Sequence, residues 1–134
     1  MVKDNTSANV TVQENVPAEM RDGTILRSDI YKPSQAGTYP VLLCRTPYNK
    51  LEDVQTARDI ASRGYVVVIQ DIRGRYASDG EFLWQFQDNS EVLDGPDGYD
   101  TTEWAASLPG SDGQVGTWGH SYPTWCIWRM AETR

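Results

Sequence analysis

Two short apolar runs, separated by an amphipathic stretch, limit what this chain can fold into more than any other feature. Pro40-Val41-Leu42-Leu43-Cys44 and Tyr65-Val66-Val67-Val68-Ile69 are continuously apolar, as strands covered on both faces are. Between them Leu51, Val54, Ala57, Ile60 and Ala61 share one face of a helix predicted over 51–63, and Gly64 closes it. Strand, helix, strand at this spacing predicts parallel pairing through a right-handed crossover. The alternation continues. A helix is predicted over 97–108, with Asp100 or Thr101 as N-cap and Pro109-Gly110 as its stop. A third strand follows over 114–118, then a sharp turn over 119–123 and a helix over 124–132. Upstream, Val10–Val16 and Thr24–Tyr31 read as strands joined at Asp22-Gly23, a hairpin signal. Residues 73–80 read as a loop in which Arg73 and Arg75 are expected to pair with Asp71 and Asp79. The predicted class is α/β: one mostly parallel sheet with an antiparallel N-terminal hairpin.

Composition removes several functions. The net charge is −7, which disfavours a nucleic-acid partner, since such binding needs a basic surface. Cys44 and Cys126 form no CxxC pair and His120 is the only histidine, too few ligands for a zinc site. Both cysteines are expected as buried thiols. The run Asp94-Gly95-Pro96-Asp97-Gly98 lacks the alternating carboxylates of a calcium loop, and the glycines fit no dinucleotide or P-loop spacing. No metal and no cofactor are therefore expected. The chain has no apolar stretch of signal-peptide or membrane-span length. The expectation by default is a cytoplasmic protein without a membrane partner.

The turn between the third strand and its helix reads Gly119-His120-Ser121-Tyr122-Pro123. It partly fits G-x-S-x-G, the nucleophile elbow of α/β-hydrolases. That chemistry needs a tight strand-to-helix turn, which exposes the serine oxygen and aims the next backbone N–H at a developing oxyanion. Gly119 meets the demand for a small residue, and Pro123 is acceptable in the first turn of a helix. His120 adjoins the serine but should point elsewhere, and is expected to pack beneath the turn. Trp118, Trp125 and Trp128 surround the elbow and are expected in the core rather than in an acyl pocket.

Further stretches carry a family resemblance, in order along the chain. They are Met20-Arg21-Asp22-Gly23-Thr24; PVLLCRTPYNK at 40–50; GYVVVIQDIRG at 64–74; Ser78-Asp79-Gly80-Glu81-Phe82; Asp97–Thr101 with Glu103-Trp104; and DGQVGTWGHSY at 112–122. Together they resemble the cocaine esterase and X-Pro dipeptidyl-peptidase family of α/β-hydrolases, which also holds α-amino-acid ester hydrolases. The resemblance implies that Ser121 is the acylated nucleophile. It implies that Tyr48, in the R-x-P-Y loop, gives its hydroxyl to an oxyanion hole and that Tyr122 gives its backbone N–H. The implied substrate is a small ester or an X-Pro-like amide. Pro123 and Thr124 supply no carboxylate for a substrate ammonium just beyond the serine, which lowers the amino-acid ester branch. Where the family commonly has glycine, three residues after the serine, this chain has Thr124, expected to press on the start of the helix.

In α/β-hydrolases the triad runs serine, acid, histidine along the chain, and no histidine follows Ser121 here. Residues 1–134 are thus expected to be a partial catalytic domain, a truncated product or fragment, with acid, base, helical cap and jelly-roll domain lying past Arg134. Such a piece is expected to be inactive alone and to self-associate through an exposed, apolar sheet edge at 114–118. The alternative is a non-catalytic remnant or interaction module.

Overall fold

The computed structural model describes residues 9–83 and 94–133. Five strands form one sheet: β1 (Val10–Glu19), β2 (Ile25–Pro33), β3 (Tyr39–Thr46), β4 (Val66–Asp71) and β5 (Ser111–Thr117). Their spatial order is β1-β2-β4-β3-β5. The first two strands pair antiparallel, as does β2 with β4, whereas β3 is parallel to both β4 and β5. This is the mixed sheet expected from the sequence. The hairpin turns where Asp22-Gly23 predicted: Gly23 has φ 85° and donates its N–H to the Met20 carbonyl at 2.8 Å. The first strand runs past its predicted end because a bulge between Gln13 and Val16 resets its register. At that bulge Asn15 has φ 52° and gives its N–H to Asp29 Oδ1 at 2.9 Å.

Strand β4 is buried along its whole length. Val67 and Ile69 face α1 (Val54–Ala61) together with Ala57, Ala61, Tyr31 and Cys44. Val66 and Val68 face the other way, toward Ala105 of α2 (Asp94–Ala106), together with Ile30, Val41 and Leu43. Period-2 alternation thus divides one apolar run between two layers. The helix α3 (Tyr122–Ala131) packs beside α2, and the two approach closely. A Cβ on Gly98 would lie 2.8 Å from Met130 Cβ.

Four local expectations are corrected. Leu51 does not share the face of α1; it lies in a 3-10 turn, Lys50–Asp53, and is exposed. The second helix starts at Asp94, so neither Asp100 nor Thr101 caps it. Thr101 is buried and its hydroxyl donates to Gln70 Oε1 at 3.0 Å, while Asp100 binds Arg21. The charges around 71–79 pair outside their own loop: Arg73 with Asp97 and Asp22, Asp79 with Arg27, Asp71 with Lys50. Strand β5 pairs with β3, and among the described residues its other edge has no strand beside it. That edge, SDGQVGT, is polar and glycine-rich rather than apolar. No disulfide joins Cys44 and Cys126, and both are buried.

Candidate active site

The chain leaves β3 toward β4 on one side and reaches β5 on the other. Loops at the carboxyl ends of β3 and β5 therefore diverge, and such a switch point is where open α/β sheets place their ligands. Tyr48 is in the first loop and Ser121 in the second.

Ser121 occupies the position just before α3, where a serine normally turns its hydroxyl back to cap the helix. Here it makes no such cap, because its backbone is at φ 60°, ψ −125°. A non-glycine residue held there stores about 1–3 kcal/mol. The first turn of the helix holds it: the Ser121 carbonyl accepts from Thr124 N at 3.0 Å and Trp125 N at 3.3 Å. The hydroxyl is thereby released from capping and lies 3.0 Å from the Tyr48 hydroxyl. Gly119 makes the turn possible, with φ 149° and a would-be Cβ only 2.5 Å from Pro123 Cβ. Pro123 lies in the first turn of α3, as expected. Thr124 does not crowd the elbow; its hydroxyl donates to the Gly119 carbonyl at 3.2 Å and ties the turn closed.

The first N–H groups of a helix have no partner within it. Of these, the Tyr122 N–H points at Tyr48 Oη, 3.3 Å away. Pro123 has no N–H to offer. Tyr48 Oη thus meets both residues of the elbow, accepting from the Tyr122 N–H and hydrogen-bonded to Ser121 Oγ, with either hydroxyl able to donate. Tyr48 is 43% exposed, so core packing does not fix it. Its N–H donates to Thr46 Oγ1 at 3.0 Å, and Asn49 follows with φ 83° and its side chain capping Leu51 N–H at 3.1 Å.

All three residues singled out from the sequence therefore meet at one point. Their environment differs from expectation in two respects. His120 is exposed and does not pack under the turn, because the elbow turns its side chain outward. Of the tryptophans, Trp118 and Trp125 pack against the core as expected, whereas Trp128 is 68% exposed. Sequence reasoning missed Arg75, whose Nε donates to the Pro47 carbonyl at 3.0 Å beside Tyr48. No sequence signal separated it from the other charges of its loop. Among the described residues no cluster of three or more His, Cys, Asp or Glu side chains is placed to hold a metal ion. Nor is any described helix long and apolar enough to cross a membrane.

The chain is 40% identical over 129 residues to cocaine esterase of Rhodococcus sp. (strain MB1 Bresler), covering 92% of this chain and 21% of that protein. It therefore spans about a fifth of that relative's length. Among solved structures it resembles an aminopeptidase from the marine sediment archaeon Thaumarchaeota archaeon, with TM-score 0.78 and 26% identity over 96% of this chain and 24% of that one. It also resembles an α-amino-acid ester hydrolase, with TM-score 0.77 and 30% identity over the same shares, 96% and 24%. Residues 22–134 match the family model described as X-Pro dipeptidyl-peptidase (S15 family). With the strand order, the elbow and these likenesses in agreement, the chain belongs to the X-Pro dipeptidyl-peptidase (S15) family of α/β-hydrolases.

Proposed function

We propose that this chain carries the nucleophile and oxyanion hole of a serine hydrolase acting on esters or X-Pro-like amides. One observation carries the reading: the Tyr48 hydroxyl lies 3.0 Å from Ser121 Oγ and 3.3 Å from the Tyr122 nitrogen. Ser121 Oγ attacks the substrate carbonyl carbon and its proton passes to a base. The carbonyl oxygen, now negative, takes hydrogen bonds from Tyr48 O–H and Tyr122 N–H. In the free chain those two groups bond to each other, and the oxyanion replaces that long contact with two charge-assisted ones. Each such donor is worth about 3 kcal/mol of transition-state stabilisation. Collapse of the intermediate expels the alcohol or amine and leaves the acyl group on Ser121, which water then removes.

His120 is not placed as the base. Adduct formation by the 134 residues alone rests on the oxyanion donors and on binding of the substrate, which together retain about 10³–10⁴-fold over water in enzymes stripped of a triad member. Deacylation needs the same proton transfer, so the acyl form should accumulate. Incubation with p-nitrophenyl acetate and peptide mass spectrometry should find acetyl on the Ser121 peptide, and none in Ser121→Ala. The alternative is a non-catalytic remnant or interaction module. It predicts an unmodified Ser121.

A further inference from the structure

Two residues outside the Ser121–Tyr48–Tyr122 set grip the loop that carries Tyr48. On one side of Tyr48, the Pro47 carbonyl accepts from Arg75 Nε at 3.0 Å. On the other, Lys50 N–H donates to Asp71 Oδ1 at 2.8 Å. Asp71 is fully buried, and its second oxygen lies 3.2 Å from Ala77 N and 3.4 Å from Lys50 Nζ. Lys50 Nζ also sits 3.6 Å from Asp29 Oδ1, itself buried. Both ends of the Pro47–Lys50 loop are thus tied to the segment that begins at the end of β4.

Arg75 is also linked to Tyr122, through Phe82. Its guanidinium stands 5.0 Å above the Phe82 ring, and the Phe82 and Tyr122 ring centroids are 6.2 Å apart. One side chain therefore touches the loop of Tyr48 and the ring that packs on Tyr122. A tyrosine hydroxyl is the far end of a long rigid lever, so a small rotation of the loop is magnified there.

We propose that Arg75 and Asp71 are positioning residues. They hold the Pro47–Lys50 loop so that the Tyr48 hydroxyl meets Ser121 Oγ and Tyr122 N–H. Their effect on reactivity rests on the function proposed above; their effect on geometry does not.

The test places 3-fluorotyrosine at position 48 of this chain and reads its ¹⁹F resonance. In the parent chain Ser121→Ala should shift that resonance, since the 3.0 Å contact is lost. Arg75→Gln and Asp71→Asn should move it toward free tyrosine and abolish its response to Ser121→Ala, while Arg75→Lys, which keeps a donor, should restore part of the shift. Asp71→Asn sets an amide NH₂ among N–H donors and is the variant at risk of not folding. Circular dichroism identifies that case, and Arg75→Gln then decides alone. A resonance unmoved in folded Arg75→Gln, or a parent resonance indifferent to Ser121→Ala, overturns the proposal. Labelling of Ser121 by a fluorophosphonate should slow about 10- to 100-fold in Arg75→Gln, the scale of an ~1 Å misplacement. A moved resonance with unchanged labelling would uphold the clamp and remove Tyr48 from the oxyanion hole.

Discussion

The Tyr48 hydroxyl and Ser121 Oγ, 73 residues apart in sequence, lie 3.0 Å from each other. His120, the neighbour of Ser121, is turned into solvent. His120→Ala should therefore leave the rate of Ser121 modification unchanged and stability within about 0.5 kcal/mol. Hydrolysis of p-nitrophenyl esters by the 134 residues should stay near background in both forms. Fast turnover lost on His120→Ala would make that histidine the base.

The elbow depends on the contact between Gly119 and Pro123. Gly119→Ala puts a Cβ 2.5 Å from Pro123 Cβ at a residue with φ 149°. The cost should be about 1–3 kcal/mol, read as a lower denaturation midpoint. Pro123→Gly removes the clashing atom, so the double variant should lose less than the sum of the singles. Strict additivity would mean that the two residues do not touch.

Why some of this was legible in the sequence and some was not has a physical basis. Buried strands announce themselves because a strand covered on both faces must be continuously apolar, as Val66–Ile69 is. Ser121 and its turn were readable because only small or first-turn residues fit at 119 and 123. The start of α2 was not, because Gly95 and Gly98 break helices on their own and are tolerated only where α3 packs against them. Nor was the pairing of Arg73 with Asp22 and Asp97, since charge partners are chosen by the fold and not by proximity along the chain. Tyr48 was found through the family resemblance alone; nothing in its local sequence shows that the β3 loop meets the β5 loop.

Acid should weaken the fold through Asp22. The Arg73 guanidinium, and next the Thr24 N–H, hold its carboxyl down at about 2. The folded value lies below the unfolded value of about 3.9. Asp22 therefore contributes stability above about pH 4, and that contribution fades as pH falls through about 2. Asp100, held low chiefly by its hydrogen bond from Arg21, adds in the same direction. Urea midpoints measured from pH 6 down to pH 2 should fall on the acid side. Asp22→Asn should lower the plateau and flatten that limb. An unchanged slope would remove Asp22 from the account.

Cys44 should be inert while the chain is folded. Burial, with a smaller contribution from Asp53, pushes its thiol up to about 12 from 9.0. The thiolate fraction at neutral pH then drops by about 1000-fold. Ellman's reagent should leave Cys44 unmodified in buffer and react with it in guanidinium. Prompt reaction in the native state would place Cys44 outside the core.

Under the proposed function, Ser121 is a nucleophile served by Tyr48. The most direct test of that role is the rate at which a fluorophosphonate labels this chain, with the labelled residue identified by mass spectrometry. The label should fall on Ser121 alone, vanish in Ser121→Ala, and form about 100-fold more slowly in Tyr48→Phe, which removes one of the two proposed oxyanion donors. Equal rates in Tyr48→Phe and the parent chain, or a label on another residue, would contradict it.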